Sequence, residues 1–475
     1  MTSSPDASPS RTFPDDFLFG VATASYQIEG GAQADGRGPS IWDTFARTPG
    51  KVHEQHNGDV ACDHYHRWES DLDLMKDLGM QAYRFSVAWP RWQATGSGPI
   101  NEKGAAWYDR LVDGLLERGI APWATLYHWD LPQALEDAGG WATRDTAYRF
   151  AEYSAAVHAR LGDRVAGWIT LNEPYCSSFL GYASGYHAPG RYDDKGTIDA
   201  VHHLLLGHGL ARQAIKEADP SAPVGITLNL YPVDPLDPED PADRDAARRI
   251  DGLQNRIFLD PVLRGTYPED VKADVAEAND FSCVQPGDLD LIGAPLDFLG
   301  VNYYSPITVG APGHAGADGE GTTINRPGAR ISQWIGSRDV RFHGRGLPRT
   351  QMNWEVYPEG LAEVVLRVLK EYDAPPVYIT ENGCAYPDEV VDGEVHDVDR
   401  TAYLESHLDV LARLVEEGAD VRGYFLWSLM DNFEWAWGYS RRFGVVHVDY
   451  DTQVRTVKDS GKRYAQIVAT RSLQA

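Results

Sequence analysis

Cysteine is scarce in this chain, and the four that occur are widely separated: Cys62, Cys176, Cys283 and Cys384. No two of them form the CxxC pair that structural zinc sites use, and four thiols in 475 residues do not make a disulfide framework. The sequence also lacks an HExxH motif, a Walker loop and a dinucleotide fingerprint. We therefore predict a protein of a reducing compartment, the cytoplasm, with no metal and no organic cofactor.

Long apolar runs are absent as well. No stretch of about 18 apolar residues occurs that would cross a membrane. The first residues, MTSSPDASPSRTFPDD, lack the basic start and the apolar stretch of a secretory signal. We expect residues 1–16 to form a flexible head and residues 17–475 to form the folded domain.

Positive charge is in deficit, because 43 Lys and Arg stand against 70 Asp and Glu, a formal net charge of −27. Such an excess repels the phosphates of nucleic acids and anionic lipid surfaces, so we expect neither nucleic acid nor a membrane as a partner. The acidic residues are spread along the chain, as on a solvated surface. The sequence leaves open whether the chain forms a homo-oligomer.

Short apolar runs alternate with amphipathic segments of helical length along the whole chain, which is the pattern of parallel strands joined by helices. The runs predict eight strands, at 17–22, 82–88, 122–127, 167–171, 224–228, 297–302, 376–380 and 423–428. Eight such units favour a single (β/α)8 TIM barrel with extended loops at its C-terminal face, with a doubly wound open sheet as the alternative. Residues 311–345 are predicted to form one long inserted loop.

In a parallel barrel the active site lies at the carboxyl ends of the strands. Here the residues that close the predicted strands are polar or aromatic, where a purely structural barrel needs only turns. In strand order the candidates are Arg84, His128, Trp129, Asn172, Glu173, Asn302, Tyr304, Glu381, Trp427, Glu434 and Trp435.

Two carboxylates, Glu173 and Glu381, end two different strands and are therefore expected across one cavity. Glycoside hydrolysis needs such a pair, one acting as acid and the other as nucleophile or base. Indole rings suit the C–H faces of sugars, and amide, imidazole and carboxylate groups suit their hydroxyls. Taken singly, each residue also has a structural explanation, as a helix cap, an ion pair or a core aromatic; their coincidence at strand ends favours a site.

The motifs that carry these residues resemble those of the family-one glycoside hydrolases, the retaining β-glucosidase family. FLFGVATASYQIEGG stands near the amino terminus, followed in order by TLNEP, YITENG and FLWSLMDNFEW. The resemblance covers nearly the entire chain. It implies a catalytic barrel over residues 17–475.

The resemblance also implies roles for single residues. Glu381 would be the nucleophile that forms a covalent glycosyl intermediate, and Glu173 the acid and then the base. Arg84, Asn302 and Tyr304 would flank the nucleophile, and Trp354 would stand beside the leaving group. The other residues expected to contact substrate are Gln27, His128, Trp129, Asn172, Trp427, Glu434, Trp435 and Phe443.

Departures from the family's subgroups narrow the expected substrate. The plant thioglucosidases carry Gln at the position of Glu173, and the phospho-β-glycosidases carry Ser at the position of Glu434, followed by Lys and Tyr where this chain has Arg441 and Phe443. The resemblance therefore implies an enzyme that acts on small unphosphorylated β-glycosides. Cys384, which follows TENG, is expected to serve packing.

We expect a retaining exo-acting β-glucosidase that releases terminal nonreducing β-D-glucosyl residues from cello-oligosaccharides and aryl β-glucosides by double displacement, in cellulose breakdown. A β-galactosidase or β-fucosidase preference, or transglycosylation, remains an alternative on the same barrel. A sugar-binding protein without catalysis is the alternative from another class.

Overall fold

The computed structural model describes residues 11–313 and 332–474. Eight parallel strands, labelled β1–β8, close into a barrel in which each pairs with its neighbours in the sequence and β8 pairs with β1. The closed ring confirms the predicted (β/α)8 barrel and excludes the open sheet. The strands are β1 Leu18–Ala22, β2 Ala82–Ser86, β3 Ala121–Tyr127, β4 Gly167–Asn172, β5 Val224–Asn229, β6 Phe298–Asn302, β7 Val377–Asn382 and β8 Val421–Trp427.

All eight predicted strands are present, but three of them continue further than their apolar runs. β4 ends at Asn172, β5 at Asn229 and β7 at Asn382. Glu381 therefore lies inside β7, paired in register with Asn302 of β6. The apolar runs underestimate these strands, because the backbone ladder continues through polar residues at the strand ends.

Helices cover the barrel from outside, and several of them bury one apolar face. In Glu102–Glu117, for example, Tyr108, Leu111 and Leu115 are fully buried at a spacing of three and four residues. The longer helices are His64–Asp77, Glu102–Glu117, Asp145–Leu161, Asp194–Ala218, Pro241–Asp251, Ile257–Arg264, Pro358–Glu371, Val398–Glu416 and Asp459–Thr470. Shorter ones are Ser25–Ile28, Ile41–Arg47, Trp89–Trp92, Gln133–Asp137, Glu269–Asp274 and Asp288–Ile292.

The loops that follow the strands carry small sheets of their own. Val233–Pro235, Ile307–Gly310 and Arg341–His343 form a three-stranded sheet, and Val446–Val448 pairs with Arg455–Val457. The long inserted loop predicted over 311–345 thus contains a short strand in its last part, because Arg341–His343 pairs with Ile307–Gly310. Residues 314–331 of that loop lie outside the described residues.

The first described residues contact the barrel closely. Arg11 is ion-paired with Asp409, and the Phe13 ring is buried at 4.6 Å from the Phe17 ring centroid. Residues 1–10 lie outside the described part, and the boundary at residue 17 stays a prediction. Among the helices that the structure describes, none combines the length and the apolarity needed to cross a membrane.

A buried cluster of charges ties together the chain segments after β7 and β8. Lys458, fully buried at the start of the last helix, donates to Asp388 at 2.6 Å and to Asp431 at 2.7 Å. Arg400 pairs with Asp388 at 2.9 Å and also with Asp397. Asp431 is three residues before Glu434, so this cluster fixes the loop that carries Glu434.

Replacing Lys458 with Met is expected to destabilise the protein strongly. The substitution leaves two buried carboxylates without their shared cation, and breaking a buried ion pair in this way costs about 3–5 kcal/mol. The shift of the urea unfolding midpoint measures the loss. Lys462→Met is the matched control, because Lys462 is half exposed beside Asp459 and should leave the midpoint nearly unchanged. Equal midpoints for the two variants would contradict this account of the cluster.

Candidate active site

A cavity of about 440 Å³ opens at the carboxyl ends of the strands. Most of the predicted site residues line it: His128, Trp129, Glu173, Tyr304, Trp354, Glu381, Trp427, Glu434, Trp435 and Phe443. The other four, Gln27, Arg84, Asn172 and Asn302, are fully buried and hydrogen-bonded to this set. The structure thus brings together residues from the whole length of the chain.

Glu381 is held by two donors, one for each carboxylate oxygen. Arg84 Nη1 donates to Oε1 at 2.6 Å, and the Tyr304 hydroxyl donates to Oε2 at 2.7 Å. Arg84 is fully buried, so this is a desolvated ion pair. The chain turns sharply after β7 at Gly383, where a Cβ would stand 1.7 Å from the Trp427 carbonyl oxygen, so only glycine fits.

Glu173 lies across the cavity with neutral hydrogen-bond partners. Asn302 Nδ2 donates to Oε1 at 2.6 Å, and the Cys176 thiol donates to Oε2 at 3.1 Å. The backbone of Glu173 has φ 45°, in the left-handed region that a non-glycine residue occupies at a cost of about 1–3 kcal/mol. A π-helix, Cys176–Ala183, follows directly. This unusual turn brings Cys176 back onto the carboxylate that precedes it.

Asn302 was expected beside the nucleophile, and its amide lies between the two carboxylates. It donates to Glu173 and also lowers the pKa of Glu381. The side-chain oxygen of Asn302, Oδ1, accepts a hydrogen bond from Thr380 Oγ1 at 2.7 Å. Asn302 is therefore fixed from the strand that carries Glu381 while its amino group reaches Glu173.

The two glutamates have unlike electrostatic surroundings. Burial and the nearby charge of Glu381 raise the pKa of Glu173 to about 8. Burial also raises the pKa of Glu381, but the Arg84 cation and the Tyr304 hydrogen bond oppose that shift. Arg84 also lowers the pKa of Glu173, but more weakly than burial and the Glu381 charge raise it, and the ion pair of Arg84 is with Glu381. These surroundings favour the proton on Glu173 and the ionised form of Glu381.

A third carboxylate, Glu434, lines the same cavity. Burial and the charges of the other two glutamates raise its pKa to about 8. Gln27 Nε2 lies 3.5 Å from Glu434 Oε2 and donates at 2.9 Å to the Phe433 carbonyl oxygen. Gln27 Oε1 is buried and has no hydrogen-bond partner among the described residues. A hydroxyl-bearing ligand would satisfy it.

The protonation state of His128 follows from its neighbours. Arg84 Nη2 can only donate, so the Asn172 side-chain atom that lies 2.6 Å from it is the amide oxygen, Oδ1. Asn172 Nδ2 therefore donates to His128 Nε2 at 3.1 Å, and the histidine proton is on Nδ1. Burial and Arg84 hold the pKa of His128 well below its usual value, so the ring is neutral. Its Nδ1–H has no acceptor among the described residues.

Aromatic rings form the apolar walls of the cavity. Trp435 packs 4.6 Å from Trp129 and lies nearly parallel to His128, which in turn stacks on Trp427 at 5.6 Å between centroids. On the other side Trp354 contacts Tyr304 at 5.3 Å. Trp129 and Trp435 have φ 75° and 46°, so two of these rings stand on strained backbone.

Part of the cavity wall was not predicted from the sequence. Asn229, Tyr231, Gln254, Gln333 and Trp334 line it in addition. Asn229 ends β5, so its place at a strand end marks it in the same way as the predicted residues. Gln254 belongs to a π-helix and Gln333 to the loop after β6, and no periodic signal marks loop residues that fold back over a barrel.

Comparison with known proteins gives one consistent result. The family model for glycosyl hydrolase family 1 matches residues 9–473. The chain is 48% identical to a beta-glucosidase of Agrobacterium sp. (96% of this chain, 95% of the relative). It is 46% identical to a bifunctional beta-D-glucosidase/beta-D-fucosidase of Bifidobacterium breve (97% and 99%).

Solved structures agree with the sequence relatives. The psychrophilic beta-glucosidase of Micrococcus antarcticus superposes with a TM-score of 0.94 at 50% identity, covering 97% of this chain and 98% of that one. The family 1 β-glucosidase of Thermotoga maritima gives 0.91 at 44% identity, covering 98% and 100%. With a family match over nearly its whole length, this chain belongs to glycosyl hydrolase family 1 and is an enzyme that hydrolyses glycosidic bonds.

Proposed function

We propose that this family 1 enzyme is a retaining exo-acting β-glucosidase that releases terminal nonreducing β-D-glucosyl residues from cello-oligosaccharides and aryl β-glucosides. One observation carries the proposal: a single cavity holds two glutamates, of which Glu381 is paired with a buried cation and Glu173 is not. Relatives at 48% and 50% identity bear the name β-glucosidase.

Glu381 is the proposed nucleophile. A nucleophile must be ionised, and the Arg84 ion pair and the Tyr304 hydroxyl stabilise the carboxylate. The carboxylate attacks the anomeric carbon and forms a covalent glycosyl ester. Once the ester forms, the negative charge of Glu381 is gone.

Glu173 is the proposed acid and base. It enters the first step protonated, since burial and Glu381 raise its pKa to about 8, and gives its proton to the departing glycosidic oxygen. Loss of the Glu381 charge then removes the repulsion that kept Glu173 protonated. The resulting Glu173 carboxylate takes a proton from water, which attacks the ester and releases the sugar with its configuration retained.

The walls of the cavity suit one nonreducing sugar. Trp427 and Trp435 offer apolar faces to its C–H groups. Gln27 Oε1 and the His128 Nδ1–H are a buried acceptor and a buried donor that sugar hydroxyls would satisfy. Glu434 would repel a phosphorylated sugar when it is ionised, so we propose unphosphorylated substrates.

The same machinery supports a second candidate preference. The Bifidobacterium relative is named for both β-glucosidase and β-fucosidase activity, and it is 46% identical to this chain. A panel of aryl β-glucoside, β-galactoside and β-fucoside substrates, which differ at single hydroxyls, separates these preferences. Transglycosylation is separated by adding an acceptor alcohol and measuring transfer against hydrolysis. Binding of a β-glucoside without turnover would establish the non-catalytic alternative instead.

We also propose that the enzyme is located in the cytoplasm and takes part in the breakdown of cellulose. All four cysteines are unpaired thiols, as a reducing compartment requires. Cell fractionation followed by an activity assay on cellobiose tests both points.

Proton NMR of the enzyme with cellobiose tests the main proposal directly. We expect β-glucose to appear first from the nonreducing end, because two displacements restore the starting configuration. Spectra recorded before mutarotation measure the anomer. Glu381→Ala serves as the control and should release no glucose. Early α-glucose would overturn double displacement, and no release from any glycoside of the panel would overturn hydrolysis of this class.

Glu173→Ala is expected to separate substrates by their leaving groups. Cellobiose, whose leaving group needs a proton, should lose about 10²–10⁴-fold in kcat/KM. Dinitrophenyl β-glucoside should react far better by comparison, because its leaving group departs without protonation. Steady-state kinetics on both substrates provide the measurement. An equal loss on the two would contradict the acid role of Glu173.

A further inference from the structure

The hydrogen bonds around Glu173 distinguish its two oxygens. Asn172 Oδ1 is identified as an oxygen by its contact with Arg84. The Asn302 atom 3.1 Å from that oxygen must then be the amino nitrogen, Nδ2. The Thr380 hydroxyl donates to Asn302 Oδ1, which agrees with this orientation. Because the Arg84 guanidinium can only donate, it fixes the orientation of the Asn302 amide through Asn172.

The orientation of Asn302 decides where Glu173 carries its proton. Asn302 Nδ2 lies 2.6 Å from Glu173 Oε1 and can only donate to it. A proton on Oε1 would face this N–H at short range, so Oε1 is confined to accepting. The transferable proton is left to Oε2, and among the described residues the hydrogen-bond partner of Oε2 is the Cys176 thiol at 3.1 Å.

The two oxygens also differ in where they face. Asn302 is fully buried and does not line the cavity, whereas Cys176 does. Oε1 is therefore turned into the protein and Oε2 toward the cavity. Burial and Glu173 raise the pKa of the Cys176 thiol, so it stays protonated and keeps its hydrogen to donate.

We propose that Glu173 Oε2 is the oxygen that gives up and regains the proton, and that Cys176 is a positioning residue that donates to this oxygen whenever it is ionised. The proposal rests on the proposed function, because it assigns the atom through which the acid acts. In the first step the proton passes from Oε2 to the glycosidic oxygen as the glycosidic bond breaks. In the second step Oε2 takes a proton from the attacking water.

Several other charged or titratable groups face Glu173 and are the same in the unsubstituted enzyme and in a Cys176 variant. Glu381 on β7 and Arg84 on β2 act on it with opposite sign. Glu434 after β8, Tyr304 after β6 and Tyr231 after β5 are also close enough to interact with its charge. A substitution at Cys176 changes none of these groups, so any shift it causes comes from the thiol.

Two substitutions of Cys176 should move the basic limb of the pH profile of kcat/KM in opposite directions. A donor to the ionised carboxylate lowers its pKa. Cys176→Ala removes the donor, so the limb should move to higher pH, whereas Cys176→Ser supplies a stronger donor, so it should move to lower pH. We expect shifts of about 0.5 to 1 pH unit each, measured with cellobiose.

Cys283→Ser is the matched control. Cys283 is half-buried beside Asp199, away from the cavity lining, and its substitution should leave the profile unchanged. A role of Cys176 in packing alone would change kcat or stability and leave the limb in place. Shifts of both variants in the same direction, or no shift in either, would overturn the positioning role.

Neutron diffraction of the unsubstituted enzyme tests the atom assignment without any variant. In crystals soaked in D₂O below the basic limb, deuterium is expected on Glu173 Oε2, with the Asn302 amino group directed at Oε1. Deuterium on Oε1 would overturn the proposal. Failure of the acid role is distinguished separately by the Glu173→Ala comparison of leaving groups: if that comparison holds and the limb does not move, only the inference on Cys176 and Oε2 fails.

Discussion

The site depends on one buried guanidinium. Arg84, on β2, donates to the Thr380 carbonyl oxygen and to the Glu381 carboxylate with one amino group, and to Asn172 with the other. These contacts join β2, β7 and β4 through the interior of the barrel. An arginine has donors only and keeps its charge when buried, so each partner has to present an oxygen.

This one constraint propagates through the site. Arg84 fixes the orientation of the Asn172 amide, and that amide in turn sets the protonated nitrogen of His128 and the orientation of Asn302. Asn302 then determines which oxygen of Glu173 accepts a hydrogen bond. The ion pair with Arg84 also lowers the pKa of Glu381. An uncompensated buried cation would cost several kcal/mol, which makes Arg84 and Glu381 depend on one another. Chemistry and stability therefore share the same contact.

Other parts of the fold support this centre at a cost. Three cavity residues, Trp129, Glu173 and Trp435, have left-handed backbone at about 1–3 kcal/mol each. The cluster around Lys458 holds the loop of Glu434 and Trp435 by buried ion pairs, in addition to the packing of Trp435 on Trp129. Such strain persists because the surrounding barrel, with its fully buried aromatic core, fixes these positions.

The eight strands, their order and most of the residues that meet at their ends could be predicted from the amino-acid sequence. Local periodicity defines strands and helices, and the active site of a parallel barrel lies at the carboxyl ends of its strands, so Glu173 and Glu381 are expected in one cavity. The sequence did not determine that β4, β5 and β7 continue into polar residues, or that Arg341–His343 is a strand, because backbone pairing there is between distant segments. Nor could it show which oxygen faces Asn302 or that Cys176 returns to Glu173. Those relations arise from hydrogen-bond directions and from a π-helical turn, and they depend on how side chains of β2, β4, β6 and β7 converge inside the barrel.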